Sequence, residues 1–252
     1  MGWSEITTIE ESDCTSKGKS FRVPFLQAAN KRTANKIIKA QSAQFEWQCL
    51  GEEYVPLGSG DFEEIIDKIV KTQPDVIFNT LNGDSNVSFF SSLAKAGITS
   101  DKIPVMSFSI AEEEVAKMDI DNLAGHYVSW NYYETTQTPR NEKFVAEYKK
   151  KFGADRLTSD PIEAAYIAVY MWAAACEKGG SFDVEAVRVA AKGLSFPAPE
   201  GTVTIDGGNQ HLFKQVRIGK INKNGLIDEV WANQNAVKPD PYLSTYPWAR
   251  GL

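Results

Sequence analysis

From Thr33 onward the chain alternates helical and strand-like segments, and this alternation restricts the fold more than any other feature of the sequence. Parallel strands can pair only after a crossover of a dozen or more residues, usually a helix. A chain that keeps supplying such crossovers therefore favours an α/β layer architecture with a mostly parallel sheet. Asp61 with Glu64 three residues on is a capping-box-like start. Phe62, Ile65, Ile66 and Ile69 follow at helical spacing and predict a helix that covers one sheet face. Residues 74–78 (PDVIF) read as a buried strand. Val87, Phe89, Phe90, Leu93 and Ala94 predict the next helix, closed by Gly97, and residues 104–108 the next strand. Ser109 with Glu112 reads as a second capping pair, opening a short acidic helix that runs to Lys117. A strand over 125–131 and an amphipathic helix over 141–152, ended by Gly153, continue the pattern.

The segment after Asp160 differs in kind. Asp160 is expected to cap, Pro161 to take the first helical position, and residues 164–176 run apolar without a break. A helix apolar on every side is expected to be buried on every side, and such a run is too short to span a bilayer. Gly179 and Gly180 end it, a short helix follows over 183–192, and strands are expected over 201–205, 213–221 and 225–231. A Pro-rich tail closes the chain. At the other end, residues 20–27 read as either a strand or an irregular connector, and residues 42–49 show no clean period.

Composition removes several classes of function. The 252 residues carry 27 Lys and Arg against 33 Asp and Glu, a formal charge of -6. The densest basic run, Lys149-Lys150-Lys151, sits on a helix flank, so neither nucleic acid nor an anionic membrane surface is expected as a partner. Cys14, Cys49 and Cys176 are far apart and lack metal-ligand spacing. With His126 and His211 as the histidines, neither a disulfide framework nor a zinc centre is signalled. The opening thirteen residues place acids where an export signal needs bases and an apolar run, so no signal peptide is expected in this chain.

The richest candidate for chemistry is residues 79–86 (NTLNGDSN), a cluster of small polar groups between a strand and a helix, where open α/β sheets bind ligands. Gly83-Asp84-Ser85 resembles the nucleophile block of GDS-type esterases. The late Asp-x-x-His pair of those enzymes is missing, however: Gly208 and Leu123 stand three residues before His211 and His126. Gly58-Ser59-Gly60-Asp61 lacks the third glycine of a dinucleotide fingerprint, and no Gly-Lys-Ser/Thr phosphate loop occurs. Glu112, Glu113 and Glu114 point around a helix rather than at one cation. A binding site without catalysis or cofactor remains, in which Asn82, Asp84, Ser107 and Ser109 converge from two neighbouring strand ends. Asn, Asp, Ser and Gly favour turns and caps for their own reasons, and an ordinary turn is the competing reading.

Residues 32–40 (RTANKIIKA), 51–58 (GEEYVPLG), 80–86 (TLNGDSN), 107–114 (SFSIAEEE), Gly125-His126, Trp130-Asn131-Tyr132 and 160–164 (DPIEA) resemble the substrate-binding proteins of urea and short-chain amide ABC transporters. The resemblance is ordered, from about Arg32 to the tail. It implies a type I periplasmic-binding fold of two α/β lobes joined by a multi-strand hinge. It further implies a periplasmic, non-catalytic receptor that presents urea or a small amide to ABC permease subunits. It maps Asn82, Gly83, Asp84, Ser107 and Ser109 onto one wall of the ligand cleft, with Glu112 and Trp130 as further members. Urea offers a carbonyl acceptor and four N–H donors, which a carboxylate, an amide and hydroxyls can saturate.

Members of that family are longer, carry an export signal and begin with a whole first lobe, which residues 1–31 do not resemble. The expected division is therefore an atypical segment 1–31, a second lobe 32–158, helices 159–195 that in the family return to the first lobe, and a late β region and tail 196–252. On this reading the chain is a truncated member. Its 160–178 helix would expose Ile167, Val169 or Trp172 and would fold back on the remaining lobe, self-associate or aggregate. Two alternatives are a cytoplasmic amide-sensing regulator and a non-functional fragment.

Overall fold

A computed structural model of the chain describes residues 19–23 and 29–247. The expectations placed on the opening thirteen residues, on Cys14, on 24–27 and on the end of the tail lie outside the described residues. The architecture is the expected one, a mainly parallel α/β sheet flanked by helices. In chain order come β1 (Lys19–Val23), α1 (Ala29–Gln44), β2 (Gln48–Glu52), α2 (Glu63–Thr72), β3 (Val76–Asn79), α3 (Ser85–Lys95), β4 (Val105–Ser107) and α4 (Glu112–Val115). After a 3-10 turn at Ile120–Asn122 follow β5 (Tyr127–Trp130), α5 (Pro139–Phe152), α6 (Asp160–Gly179) and α7 (Val184–Ala191). The chain then turns to β, with β6 (Ser195–Ala198), β7 (Gly201–Ile205), β8 (Leu212–Phe213), β9 (Arg217–Ile221) and β10 (Ile227–Ala232).

One sheet has the order β10-β9-β5-β4-β3-β1-β2, and the other is β6-β7-β8. Neighbours from β2 to β5 pair in parallel, with Asn79 opposite Ser107 and Ser107 opposite Val128. The carboxyl ends of β3 and β4 therefore fall side by side. Residues 20–23, ambiguous in sequence, are the strand between β3 and β2. The aperiodic stretch 42–49 is explained by a boundary within it, since α1 ends at Gln44 and β2 begins at Gln48.

The chain divides into two compact units. The first comprises Trp130–Arg217 and Glu229–Thr245; the second comprises the described residues up to Ser129 together with Ile218–Asp228. Segment 159–195 lies within the first unit, while 32–158 and 196–252 are each divided between the two. In the second unit the apolar stripe Phe62, Ile65, Ile66 and Ile69 of α2 is buried as its spacing required. Ile77, Leu81, Phe89, Phe90, Leu93 and Ile110 fill the rest of its core. In the first unit Ile167 and Met171 of α6 pack with Ala198 and Val203, joined by Tyr166, Leu194 and Phe196.

Five sequence expectations need correction. Asp61 does not cap α2: Phe62 holds that place with no side-chain cap, and Asp61 Oδ1 accepts the Glu63 N–H at 3.1 Å. Ser109 does not cap α4: its hydroxyl donates to the Leu81 carbonyl, and the N-cap is Ala111, whose N–H donates to the Glu114 carboxylate at 3.0 Å. Asp160 does not cap α6: Ser159 holds that place, and the Asp160 carboxylate accepts the Asn131 N–H at 3.0 Å. Helix α6 is not buried all round. It covers Ile167 and Met171 but leaves Val169 64% and Trp172 53% exposed, with Trp172 stacked on the exposed Phe182 at 6.0 Å. The strand expected over 213–221 is broken into β8 and β9. Lys214 and Gln215 turn their polar groups to Glu200, Asn233 and Arg217, and Asn233 Oδ1 accepts the Val216 N–H at 2.7 Å. Strand β6 was not legible because Pro197 reads as a breaker; it lies at a sheet edge, where a missing donor costs nothing.

Candidate functional site

The loop between β3 and α3 is stapled from beneath by a buried polar network. Asn79 Nδ2 donates to Asn86 Oδ1 at 2.9 Å and to Ser107 Oγ at 3.0 Å, while its Oδ1 accepts the Leu81 N–H at 2.9 Å. Asn86 Nδ2 returns to the Leu81 carbonyl at 3.1 Å, the same oxygen that accepts from Ser109. Asn79, Asn86 and Ser107 are between 0% and 1% exposed, so the network replaces water almost completely. Its effect is positional: it ties the two strand ends together and fixes residues 81–86 against them. Gly83, at φ +60°, makes the turn that lets the chain enter α3.

Above the network the groups differ. Asn82 is half-buried, and Gly83 and Asp84 are exposed. Asp84 precedes α3 without spending its carboxylate on a cap. Thr80 and Ser85 are 3% and 0% exposed, and their hydroxyls meet no hydrogen-bond partner among the described residues. A buried hydroxyl without a partner is costly, so two in one loop stand out. Ser85 also begins α3, where backbone N–H groups lack intrahelical acceptors. Glu112, the first residue of α4, is fully buried.

Asn82, Gly83, Asp84, Ser107, Ser109 and Glu112 thus all lie in the second unit, on or beside the carboxyl ends of β3 and β4. Trp130, half-buried at the end of β5, is the first residue of the other unit, and its N–H donates to the Tyr133 hydroxyl at 3.2 Å. Ser107 accepts within the network and Ser109 donates to Leu81, so both position the loop. Thr80 was passed over in the sequence and Ser85 was weighed only as an esterase nucleophile, though both stand inside the polar cluster that marked the site. Segments 79–86 and 107–112 contain neither Lys, Arg nor His. The wall therefore offers hydroxyls, an amide and carboxylates, without a cationic side chain and without a base beside a nucleophile. His126 is part of the core: its Nδ1 accepts the Val105 N–H at 2.9 Å and its ring meets Phe90 edge-on at 5.3 Å. Burial lowers its pKa to about 4, against the pull of Asp101.

Comparison with known proteins bears on what this wall belongs to. Residues 28–247 match the model of the periplasmic binding protein domain. The chain is 31% identical over 121 residues to a protein named limonene hydroxylase from Geobacillus stearothermophilus, a match covering 48% of this chain and 22% of that one. It is 25% identical over 172 residues to Leu/Ile/Val-binding protein homolog 6 of Brucella melitensis, covering 67% and 44%. A solved solute-binding protein of an ABC transporter from Rhodopseudomonas palustris BisB5, in complex with 3,4-dihydroxy benzoic acid, superposes with a TM-score of 0.79 at 23% identity, covering 90% of this chain and 62% of its own. The chain spans less than half the length of these curated relatives. No helix among the described residues is long and apolar enough to cross a membrane. With the family model matched over 28–247 and the α/β architecture in place, the chain belongs to the periplasmic binding protein domain family.

Proposed function

We propose that this chain is the solute-binding component of an ABC importer, acting outside the cytoplasm without catalysis, and that its ligand is urea or a short-chain amide. The observation that carries the reading is the pair of buried, unsatisfied hydroxyls, Thr80 and Ser85, beside Asn82 and Asp84 in a wall without cationic side chains. A neutral ligand rich in N–H donors with one carbonyl answers those groups, since hydroxyls and carboxylates accept and hydroxyls and amides also donate. The permease subunits are its expected partners through the family. An anionic ligand, such as the aromatic acid bound by the relative from Rhodopseudomonas palustris, would meet the exposed Asp84 with no Lys or Arg in segments 79–86 and 107–112 to offset it.

The test is a calorimetric titration of the 252-residue chain with urea and acetamide, using leucine and 3,4-dihydroxybenzoate as comparisons. Saturable heat for urea or acetamide alone is the expected outcome. Saturable heat for leucine or the aromatic acid instead would replace the proposed ligand class while leaving the receptor role in place.

A further inference from the structure

The first unit concentrates buried charge at one place. Asp160 and Glu163 on the first turn of α6, Glu200 in the β6–β7 turn and Arg217 at the start of β9 are between 0% and 4% exposed. Lys214 Nζ lies 2.7 Å from Glu200 Oε1 and 3.9 Å from Glu163 Oε2. Glu163 Oε1 accepts the Glu200 N–H at 3.4 Å. Arg217 Nε pairs with Glu229 Oε2 at 2.9 Å, Nη1 donates to the Asn131 carbonyl at 2.6 Å, and Nη2 donates to the Glu200 carbonyl at 2.9 Å. Among the described residues the chain leaves or enters this unit at Trp130, Arg217, Glu229 and Thr245. Arg217 thus binds, within the unit, a residue at or next to the passages at Trp130 and Glu229.

Charge does not balance if every group ionises. Four carboxylates, Asp160, Glu163, Glu200 and Glu229, face two cations, Lys214 and Arg217. Burial raises the Asp160 acid, opposed by Lys214, by the N–H groups of Asn131 and Tyr132 and by Arg217, and the positive end of α6 lies beside it. Glu200 has Lys214 and Glu229 has Arg217, while Glu134, at the entry to α5, is paired with Lys149 at 2.6 Å. Glu163 is left with the distant side of Lys214. Burial, and then the charge of Glu200, hold the Glu163 acid up to about 8 against Lys214. Burial likewise raises Glu200, against Lys214, and burial alone would lower Lys214, but the three carboxylates outweigh it and raise it.

We propose that Glu163 carries a single proton that keeps this cluster closed, so that its loss loosens the passages at Trp130, Arg217 and Glu229 together. An unprotonated Glu163 adds an uncompensated charge beside Glu200 and competes for Lys214. The residue it displaces is the one whose carbonyl Arg217 uses. Binding proteins that close on their ligands place the required backbone change in a few element-terminal residues. A proton-dependent tie at such residues would make the freedom of these passages a function of pH. This inference holds whichever ligand is bound.

The test compares the intact chain with E163Q, which mimics the protonated side chain. The folded form of the intact chain should bind one more proton than the unfolded form from about 4.5, the ordinary glutamate value, to about 8. Its folding equilibrium constant should accordingly fall with rising pH up to about tenfold per unit more steeply than that of E163Q in this window, and the two should run parallel above it. Exchange of the Asn131 N–H, referenced to amides of β7, should quicken above pH 8 in the intact chain and not in E163Q. Identical pH profiles for the two proteins would overturn the proposal. Should E163Q not fold, titration of 13C-labelled glutamate carboxyls in the intact chain decides alone. With the signals assigned, a Glu163 carboxyl titrating above pH 6 upholds it, and a Glu163 carboxyl titrating at or below pH 6 overturns it.

Discussion

Asn79 reaches across from the end of β3 to donate to Ser107 Oγ at the end of β4, and this 3.0 Å bond joins two strands exactly where the candidate loop departs. Asn79 makes three such bonds with full burial. Asn79→Ala would strand Asn86 Oδ1 and the Leu81 N–H, at a cost of about 2–4 kcal/mol, and Ser107→Ala about 1 kcal/mol. Guanidinium denaturation measures both, urea being the candidate ligand. An Asn79→Ala cost below 1 kcal/mol would show that the network does not hold the loop.

Thr80 and Ser85 should behave in the opposite way. Their hydroxyls have no hydrogen-bond partner among the described residues, so Thr80→Val and Ser85→Ala should leave guanidinium midpoints nearly unchanged while weakening ligand binding by about tenfold each, the loss of one ordinary hydrogen bond. Calorimetry on the two variants separates this from a structural role: loss of stability with binding intact would remove both from the site.

His126 gives a pH dependence of its own. Its folded pKa lies near 4, below the ordinary 6.5, so the unfolded chain binds the extra proton between those values. Stability from this group is complete above pH 6.5 and is lost as pH falls toward 4, by up to about 1.4 kcal/mol per pH unit. The slope opposes that of Glu163 where the windows overlap. His126→Asn, which retains an acceptor toward the Val105 N–H, should remove it; an acid limb unchanged in that variant would point to other groups.

On α6 the two sides should differ sharply. Ile167→Ala, at 1% exposure in the core, should cost about 2–5 kcal/mol. Val169→Ser and Trp172→Gln should each stay within about 0.5–1 kcal/mol, since both side chains are more than half exposed. Thermal unfolding of the three variants checks this, and a loss at Trp172 as large as at Ile167 would mean that the face is covered in solution.

Much of this was legible in the sequence for a physical reason. Helix α2 and its four buried apolar residues, the Gly97 stop, the Asp183 cap of α7 and the strands β3, β4, β5 and β7 are governed by local periodicity and capping chemistry. The failures are places where a distant partner decides. Ser109 and Asp160 carry good caps' chemistry, but Leu81 and Asn131 claim them from 28 and 29 residues away. The apolar run 164–176 gave its helix but not its exposed side, because composition does not record what is present to cover it. The polar cluster 79–86 was legible as a candidate, while the split between the network and the hydroxyls of Thr80 and Ser85 follows from which rotamers meet across β3 and β4.

Strand β1 carries a consequence for how this protein can be shortened. It lies between β3 and β2, and both neighbours bond to it along its length. The family resemblance fades before Arg32, which invites trimming there. Such a trim would take out an inner plank of the sheet, leaving β2 and β3 about 10 Å apart, two strand spacings, with their facing amides and carbonyls open. To reclose, β2 would have to slide inward and carry α1 with it, or leave β3 as a bare edge ready to recruit a strand from another molecule. The least family-like part of the chain is therefore the part that keeps its sheet from becoming adhesive.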